Sequence, residues 1–110
     1  MRRYSIFIAD ECEIGIGLSI RHPSGIFITN AIIGDNFTLY QNCTIGRKTK
    51  DTLTRKGYLR IGNNVTMYSG SMIIGDKPVT NNVTLGAGAL LLHGADIEGV
   101  YIGNPAKRIE

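Results

Sequence analysis

Aliphatic residues recur at every sixth position through most of the chain. A first series slips by one residue near position 30, and a second runs without a break from residue 61 to residue 91. The positions are Ile14, Ile20, Ile26, Ile33, Leu39, Ile45, Ile61, Met67, Ile73, Val79, Leu85 and Leu91. A period of six is a multiple of the strand period of two and does not fit the helical period of 3.6. The pattern therefore predicts short strands joined by regular turns.

Glycine and asparagine often follow these aliphatic positions, as in the runs 33–36 and 61–64. Both residue types tolerate positive φ at a corner. We therefore expect a coil in which each hexad forms one flat side and three hexads, or eighteen residues, complete a turn. Neighbouring turns would pair as parallel strands, because a single turn cannot bury its apolar side alone.

Mostly small or apolar residues stand four positions after each aliphatic one. The set is Cys12, Leu18, Ser24, Asn30, Phe37, Cys43, Val65, Ser71, Val83 and Ala89. The two cysteines are thus predicted to face inward, where a free cysteine behaves as a small hydrophobe. Two cysteines do not by themselves indicate the disulfide framework of a secreted protein.

The repeat is interrupted once at length, by an excursion over residues 46–60. Six of the twelve Lys and Arg residues lie there with one acidic residue. A loop of this length in a compact domain is usually functional or disordered, and both interpretations remain open. A nucleic-acid contact is not expected, because the loop lacks interleaved aromatic residues apart from Tyr58.

Composition and charge narrow the class of protein. The 110 residues predict a single domain over 1–110, and 43% hydrophobic with 19% charged residues excludes a disordered chain. Sixteen Ile, fourteen Gly and no Trp disfavour a helical bundle. We expect no membrane span and a cytoplasmic location, since the first residues lack a signal-peptide pattern and no apolar run reaches the ~20 residues that a bilayer requires.

Three stretches resemble the hexapeptide-repeat acyltransferases, namely 14–26, 33–46 and the terminal Gly103-Asn104-Pro105-Ala106-Lys107. The resemblance covers roughly residues 8–108 and is greatest to the serine acetyltransferases and the polysaccharide O-acetyltransferases. It implies an all-β fold, a left-handed parallel β-helix. It also implies a homotrimer with active sites between subunits and acetyl-CoA as the acyl donor.

His22 is the predicted general base, at the position of the family's catalytic histidine. Acetyl transfer to a hydroxyl requires removal of its proton, and imidazole suits this near neutral pH. The carboxylate that orients this histidine in serine acetyltransferases would fall at Phe7. Asp10, Glu11, Glu13 or a backbone carbonyl could substitute, and the sequence does not choose among them.

Arg21, Asn42 and Tyr58 are assigned to the acceptor side. Arg21 replaces the family's aspartate before the histidine, and Tyr58 stands where the family has a second histidine. These departures favour a sugar hydroxyl, as in surface-polysaccharide biosynthesis, as the acceptor. Serine O-acetylation for cysteine biosynthesis and a non-catalytic β-helical binding or scaffold protein are the alternatives.

The resemblance also implies residues that hold the donor. Gly46 would lie beside the thioester, while Ser69, Gly70, Ala87 and Gly88 would line the pantetheine arm of acetyl-CoA. Lys107 and Arg108 would meet the CoA phosphates. The alternative is that the glycines serve only as turns and that the basic pair is a solvated tail.

No metal is expected. His93 is interpreted as structural, because a zinc site of the β-helical carbonic anhydrase kind needs three histidine ligands and the chain has two histidines.

Overall fold

Short strands of two to four residues alternate with sharp corners in the computed structural model, which describes residues 5–46 and 58–110. The strands are β1 (Ile6–Ile8), β2 (Glu13–Ile14), β3 (Ser19–Ile20), β4 (Ile26–Ile28), β5 (Ala31–Ile33), β6 (Thr38–Leu39), β7 (Thr44–Gly46), β8 (Leu59–Ile61), β9 (Thr66–Met67), β10 (Met72–Ile74), β11 (Val83–Leu85), β12 (Leu90–Leu91), β13 (Gly99–Ile102) and β14 (Lys107–Arg108).

These strands form three faces of a prism. The first face has the order β1-β4-β7-β10-β12, the second β2-β5-β8, and the third β3-β6-β9-β11-β13-β14. All pairings are parallel except that of β13 with β14. Thr66 pairs with Thr84 eighteen residues on, as three hexads per turn require. The fold is the predicted left-handed parallel β-helix.

The core is a column of side chains inside the prism. On the third face, Leu39, Met67 and Leu85 are fully buried one above another. Cys43 is buried with them, and Cys12 packs against the core from a half-buried position, as the repeat predicted. Buried residues of all three faces belong to one cluster, so each coil depends on its neighbours for burial.

One part of the predicted register is wrong. Ile28, not Ile26, pairs with Ile45 in the row of repeating aliphatic residues. Ile26 is also buried, but it lies in the row of Cys43, because the Phe27 N–H donates to the Cys43 carbonyl. Residues 21–25 therefore form a wider corner that shifts the repeat by two, and a shift of two keeps both isoleucines facing inward.

Two members of the predicted inward row are corrected by the same shift. Ser24 is exposed in the wider corner, and Asn30 is half-buried with its side-chain oxygen accepting from the Glu11 N–H (3.0 Å). Ala31, fully buried, takes the inward position instead.

Three corners join the faces of the prism. The loop corner joins the first face to the second and includes residues 9–11, 46 and 58. The asparagine corner joins the second face to the third at 15–17, 34–36, 62–64 and 80–82. The His22 corner joins the third face to the first at 21–25, 40–42, 68–70 and 86–88.

The asparagine corner is closed by a side-chain ladder. Asn36, Asn64 and Asn82 have φ of 57°, 58° and 59°, a conformation that asparagine tolerates better than most residues. Asn36 Nδ2 donates to Asn64 Oδ1 (3.2 Å), and Asn64 Nδ2 donates to Asn82 Oδ1 (3.2 Å). The ladder ends on Glu98, whose Oε2 accepts from Asn82 Nδ2 at 3.0 Å.

The last coil is covered by the chain that follows it. The Ala106 N–H donates to the Leu90 carbonyl (2.7 Å) on the first face, and β14 runs antiparallel along β13 on the third. Within residues 5–46 and 58–110, no helix has the length and apolar character to cross a membrane.

Candidate active site

The His22 corner gathers most of the predicted site residues along one edge of the prism. The Asn42 N–H donates to the Ser24 carbonyl (2.8 Å), and the Gly88 N–H donates to the Ser69 carbonyl (2.9 Å). Between them, the Gly70 N–H donates to the Gln41 carbonyl (3.0 Å). Successive corners are therefore in direct contact, so His22, Asn42, 69–70 and 87–88 form a continuous edge, with Arg21 at its beginning.

An aromatic stack lies on this edge. The His22 and Tyr40 ring centroids are 6.0 Å apart with a tilt of 43°, and Tyr40 stacks on Tyr68 at 4.9 Å and 27°. Neither tyrosine is among the site residues predicted from the sequence. Their signal is positional, because Tyr40 directly follows Leu39 and Tyr68 directly follows Met67 in the aliphatic repeat.

The His22 imidazole is exposed and makes no side-chain hydrogen bond within the part of the single chain that the structure describes. The candidate orienting carboxylates lie at the loop corner, where Asp10, Glu11 and Glu13 line a cavity of about 240 Å³. Phe7 lies on the first face and stacks on Phe27 with centroids 5.0 Å apart. The chain thus does not bring His22 together with any of these carboxylates.

Gly46 and Tyr58 also lie at the loop corner. Gly46 ends β7, and a Cβ there would meet the Ile74 side chain at 3.2 Å. Tyr58 is 5% exposed, and its hydroxyl donates to Glu11 Oε2 (2.9 Å). The predicted excursion begins and ends at this corner, with residues 47–57 outside the described residues.

Glycines leave part of the His22 corner without side chains. Gly70 and Gly88 have the same φ of 72°, and Asn42 occupies the equivalent position one coil earlier at 60°. A Cβ on Gly88 would meet nothing within 4 Å. Because Asn42 shows that this corner accepts a side chain, the backbone alone does not require glycine at position 88, and the bare edge is open to a ligand.

Gln41 has an unpaired buried oxygen on the same edge. Its Oε1 is buried and accepts no hydrogen bond from the described residues. A buried acceptor without a donor is destabilising and uncommon in folded proteins. Sequence reasoning missed Gln41 as well, because the burial of a corner side chain depends on the coils before and after it.

Lys107 and Arg108 are exposed on β14 but contact different neighbours. Lys107 pairs with Ile102, next to the His22 corner, while Arg108 pairs with Tyr101. Arg108 Nε donates to the Glu98 carbonyl at the asparagine corner (2.8 Å). Of the basic pair, Lys107 is thus the residue next to the site.

The described residues gather no group of three or more side chains suited to a metal ion. His93 is exposed near the loop corner. Burial raises the pKa of the Cys12 thiol, with a smaller contribution from the nearby Glu13 carboxylate. Cys12 therefore remains a protonated thiol at neutral pH, and Cys43 is sealed in the core with Sγ 3.8 Å from Ser71 Oγ.

These features define a class of protein, a left-handed β-helix with an exposed histidine at the head of a bare corner edge. The chain is 35% identical over 106 residues to a serine acetyltransferase of Staphylococcus epidermidis, covering 96% of this chain and 49% of the relative. No family model matches the chain.

Two solved structures have the same fold. A serine acetyltransferase of Vibrio cholerae superposes with a TM-score of 0.84 at 25% identity, over 96% of this chain and 42% of that one. A serine acetyltransferase in complex with CoA gives a TM-score of 0.81 at 21% identity, over 94% and 42%, and shows the fold alone. The chain is thus similar in sequence to serine acetyltransferases and has the fold of their solved structures. It spans about half the length of the curated relatives it matches.

Proposed function

We propose that this chain is an acetyl-CoA-dependent O-acetyltransferase domain with His22 as general base. The observation that carries the proposal is the exposed His22 imidazole at the head of an edge that has glycine at positions 70 and 88 in its later coils. An exposed imidazole at the head of an open edge is accessible to an acceptor hydroxyl.

The proposed reaction is direct. The imidazole takes the proton of the acceptor hydroxyl while its oxygen bonds to the thioester carbonyl carbon, and the carbon–sulfur bond then breaks. The CoA sulfur leaves with the electron pair and receives a proton, giving free CoA and an acetyl ester. Neither cysteine takes part, which agrees with the raised pKa of Cys12 and the burial of Cys43.

The edge suits a long donor molecule. Gly70 and Gly88 present no side chain that would block an approaching chain, and Ser69 and Ala87 beside them have small ones. Lys107 is an exposed cation near its far end, available to a phosphate. We assign a smaller role to Arg108, because its Nε is already bonded to a backbone carbonyl.

Serine is the first candidate acceptor, because the curated relatives are serine acetyltransferases. This similarity favours serine O-acetylation, one of the alternatives left open by the sequence, over acetylation of a sugar hydroxyl. A sugar hydroxyl remains the second candidate on one observation, since exposed Arg21 precedes His22 and would oppose the ammonium group of free serine.

The division of site residues between two corners supports a homotrimer. His22, Asn42 and the glycine edge lie at one corner, whereas Gly46 and Tyr58 lie at another. A three-fold arrangement that sets the loop corner of one subunit against the His22 corner of the next would unite them. We propose such a trimer, each chain contributing one β-helical domain over 1–110, acting in the cytoplasm.

His22→Ala tests the function, with His93→Ala as a matched control because His93 is also exposed but lies near another corner. We expect His22→Ala to lower kcat at least about 100-fold, as loss of a general base does, with CoA binding and subunit mass unchanged. His93→Ala should retain wild-type turnover. Thiol release from acetyl-CoA, assayed with serine and with sugars, gives both values and ranks the acceptors. Full activity of His22→Ala would overturn the assignment.

A further inference from the structure

The backbone of His22 is fixed, but its ring has no hydrogen-bonded partner. The His22 carbonyl accepts from the Ser24 N–H (2.8 Å). Pro23 between them has φ locked at about −65° and restricts the residue before it to extended conformations. In the part of the chain that the structure describes, no side chain forms a hydrogen bond with the imidazole. The direction of the ring is therefore left to side-chain packing.

The ring of Tyr40 packs against the imidazole. The Arg21 N–H donates to the Leu39 carbonyl (2.8 Å), which brings the beginnings of two successive corners together. The His22 and Tyr40 ring centroids are 6.0 Å apart and the ring planes are tilted by 43°. This separation lies within the range of about 4.5–7 Å in which aromatic rings attract one another.

Tyr40 is held more firmly than the histidine it contacts. Tyr40 is half-buried, and its N–H donates to the Met67 carbonyl (3.0 Å). Its ring also stacks on Tyr68, with centroids 4.9 Å apart and an angle of 27°. A side chain locked by packing can restrict the orientation of an exposed neighbour.

The carboxylates of the chain do not provide this support. Asp10 and Glu11 line the cavity at the loop corner, and Glu11 Oε2 already accepts from the Tyr58 hydroxyl (2.9 Å). Phe7, where the family resemblance places an orienting carboxylate, has no polar side-chain atom. Among the described residues, the aromatic contact is therefore the side-chain interaction that reaches the His22 ring.

We propose that Tyr40 is a positioning residue for the general base. Its ring, supported by Tyr68, holds the His22 imidazole in the orientation in which a ring nitrogen reaches the acceptor hydroxyl. The proposal rests on the proposed function, because it takes His22 as the base. A base that is already oriented loses less entropy on reaching the transition state, so the contact raises kcat without raising the affinity for either substrate.

Tyr40→Leu and Tyr40→Phe test the proposal together, because leucine removes the aromatic ring and phenylalanine removes only the hydroxyl. Tyr40→Leu should lower kcat about tenfold, the upper range for one aromatic contact, with the acceptor KM and the dissociation constant of CoA within about twofold of wild type. Tyr40→Phe should retain wild-type kcat. A loss of kcat in Tyr40→Phe as well would assign a chemical role to the hydroxyl, and a raised acceptor KM in Tyr40→Leu would show direct binding of the acceptor. Either result would overturn the proposal.

Phe27→Leu is the matched control. Phe27 also stacks on a ring of the neighbouring coil, with centroids 5.0 Å apart, but its stack with Phe7 does not include the base. We expect both leucine variants to lower the urea midpoint and only Tyr40→Leu to lower kcat. An equal loss of kcat in the two variants would show that activity follows stability and would refute the positioning role.

NMR of the wild type tests the contact even if Tyr40→Leu does not fold. The chain has two histidines, so the ring protons of His22 can be distinguished from those of His93. The His22 ring protons should show nuclear Overhauser effects to the Tyr40 ring. In Tyr40→Leu their chemical shifts should change, because the ring current is lost, while those of His93 stay the same. The absence of these effects in the wild type would overturn the proposal.

The proposed function fails separately. If the wild-type protein neither binds CoA at millimolar concentration nor releases thiol from acetyl-CoA, the assignment of His22 as base is wrong and the positioning role fails with it. If the wild type is active and Tyr40→Leu keeps its full kcat, only the role of Tyr40 is wrong.

Discussion

The asparagine corner and the His22 corner solve the same backbone problem with different side chains. Asn36, Asn64 and Asn82 have φ near 58°, and Gly70 and Gly88 have φ of 72°, so both corners place a residue in the left-handed region once per coil. At the asparagine corner the side chains hydrogen-bond to one another and end on a carboxylate. At the His22 corner, the residues that take this conformation in the later coils are Gly70 and Gly88, which have no side chain.

The difference separates stability from function on one scaffold. Where asparagine is available to satisfy a positive φ, glycine is not needed for the turn, and glycine adds conformational entropy to the unfolded chain. The His22 corner accepts that cost at Gly70 and Gly88 and leaves its edge open. We therefore expect substitutions at the asparagine corner to change stability and substitutions at the His22 corner to change binding.

Gly62→Ala should produce the largest effect on stability. A Cβ on Gly62 would lie 2.8 Å from the Asn81 backbone nitrogen and 2.9 Å from the Thr80 carbonyl carbon, and backbone atoms cannot move aside as a flexible side chain would. We expect the free energy of unfolding to fall by about 2–3 kcal/mol, the upper range for overpacking, in urea denaturation. Wild-type stability would show that this corner is looser than the ladder indicates.

Gly88→Asn, at the His22 corner, should change binding and leave stability unchanged, the opposite of Gly62→Ala. Asparagine adopts positive φ readily, as Asn42 does at the equivalent position, and nothing lies within 4 Å of the new Cβ. The free energy of unfolding should therefore change by less than about 0.5 kcal/mol. CoA affinity, measured by calorimetry, should fall at least about tenfold, because the side chain would fill the bare edge. Undiminished CoA binding would show that CoA does not require the absence of a side chain at position 88.

Asn64 separates two contributions within the ladder. Asn64→Ala loses both amide contacts and places an alanine at a φ of 58°, so we expect a loss of about 1–2 kcal/mol. Asn64→Gly loses the same contacts without the backbone strain, so we expect a loss of only about 0.5 kcal/mol. Chemical denaturation of the two variants gives the difference directly. Equal losses would assign the whole effect to the hydrogen bonds.

The β-helical architecture was predictable because every hexad carries the same pattern of an aliphatic residue and turn residues. A period of six with turn residues at the corners is inconsistent with a helix, and each hexad gives independent support. The position of Ile28 was not predictable, because a corner widened by two residues leaves the alternation of inward and outward side chains intact. The sequence pattern therefore indicates which residues face inward but not which row they join.

The candidate site was predictable only in part for a similar reason. Counting hexads places His22, Asn42 and the two glycine corners on one edge, as the structure shows. The burial of Gln41 Oε1 depends on how the corner packs, and no local pattern signals it. Tyr58 is separated from His22 because residues 46 and 58 lie at the loop corner. The resemblance to a family does not specify that corner.

The antiparallel strand β14 has a consequence for how these molecules meet in solution. A stack of parallel coils presents open strand edges at its end, and such an edge can template the addition of another chain. β14 pairs with β13 in the opposite direction, and Ala106 occupies the Leu90 carbonyl on the adjacent face. A second molecule would meet these backbone groups already paired, so the strand that carries Lys107 also opposes the addition of another parallel coil at this end.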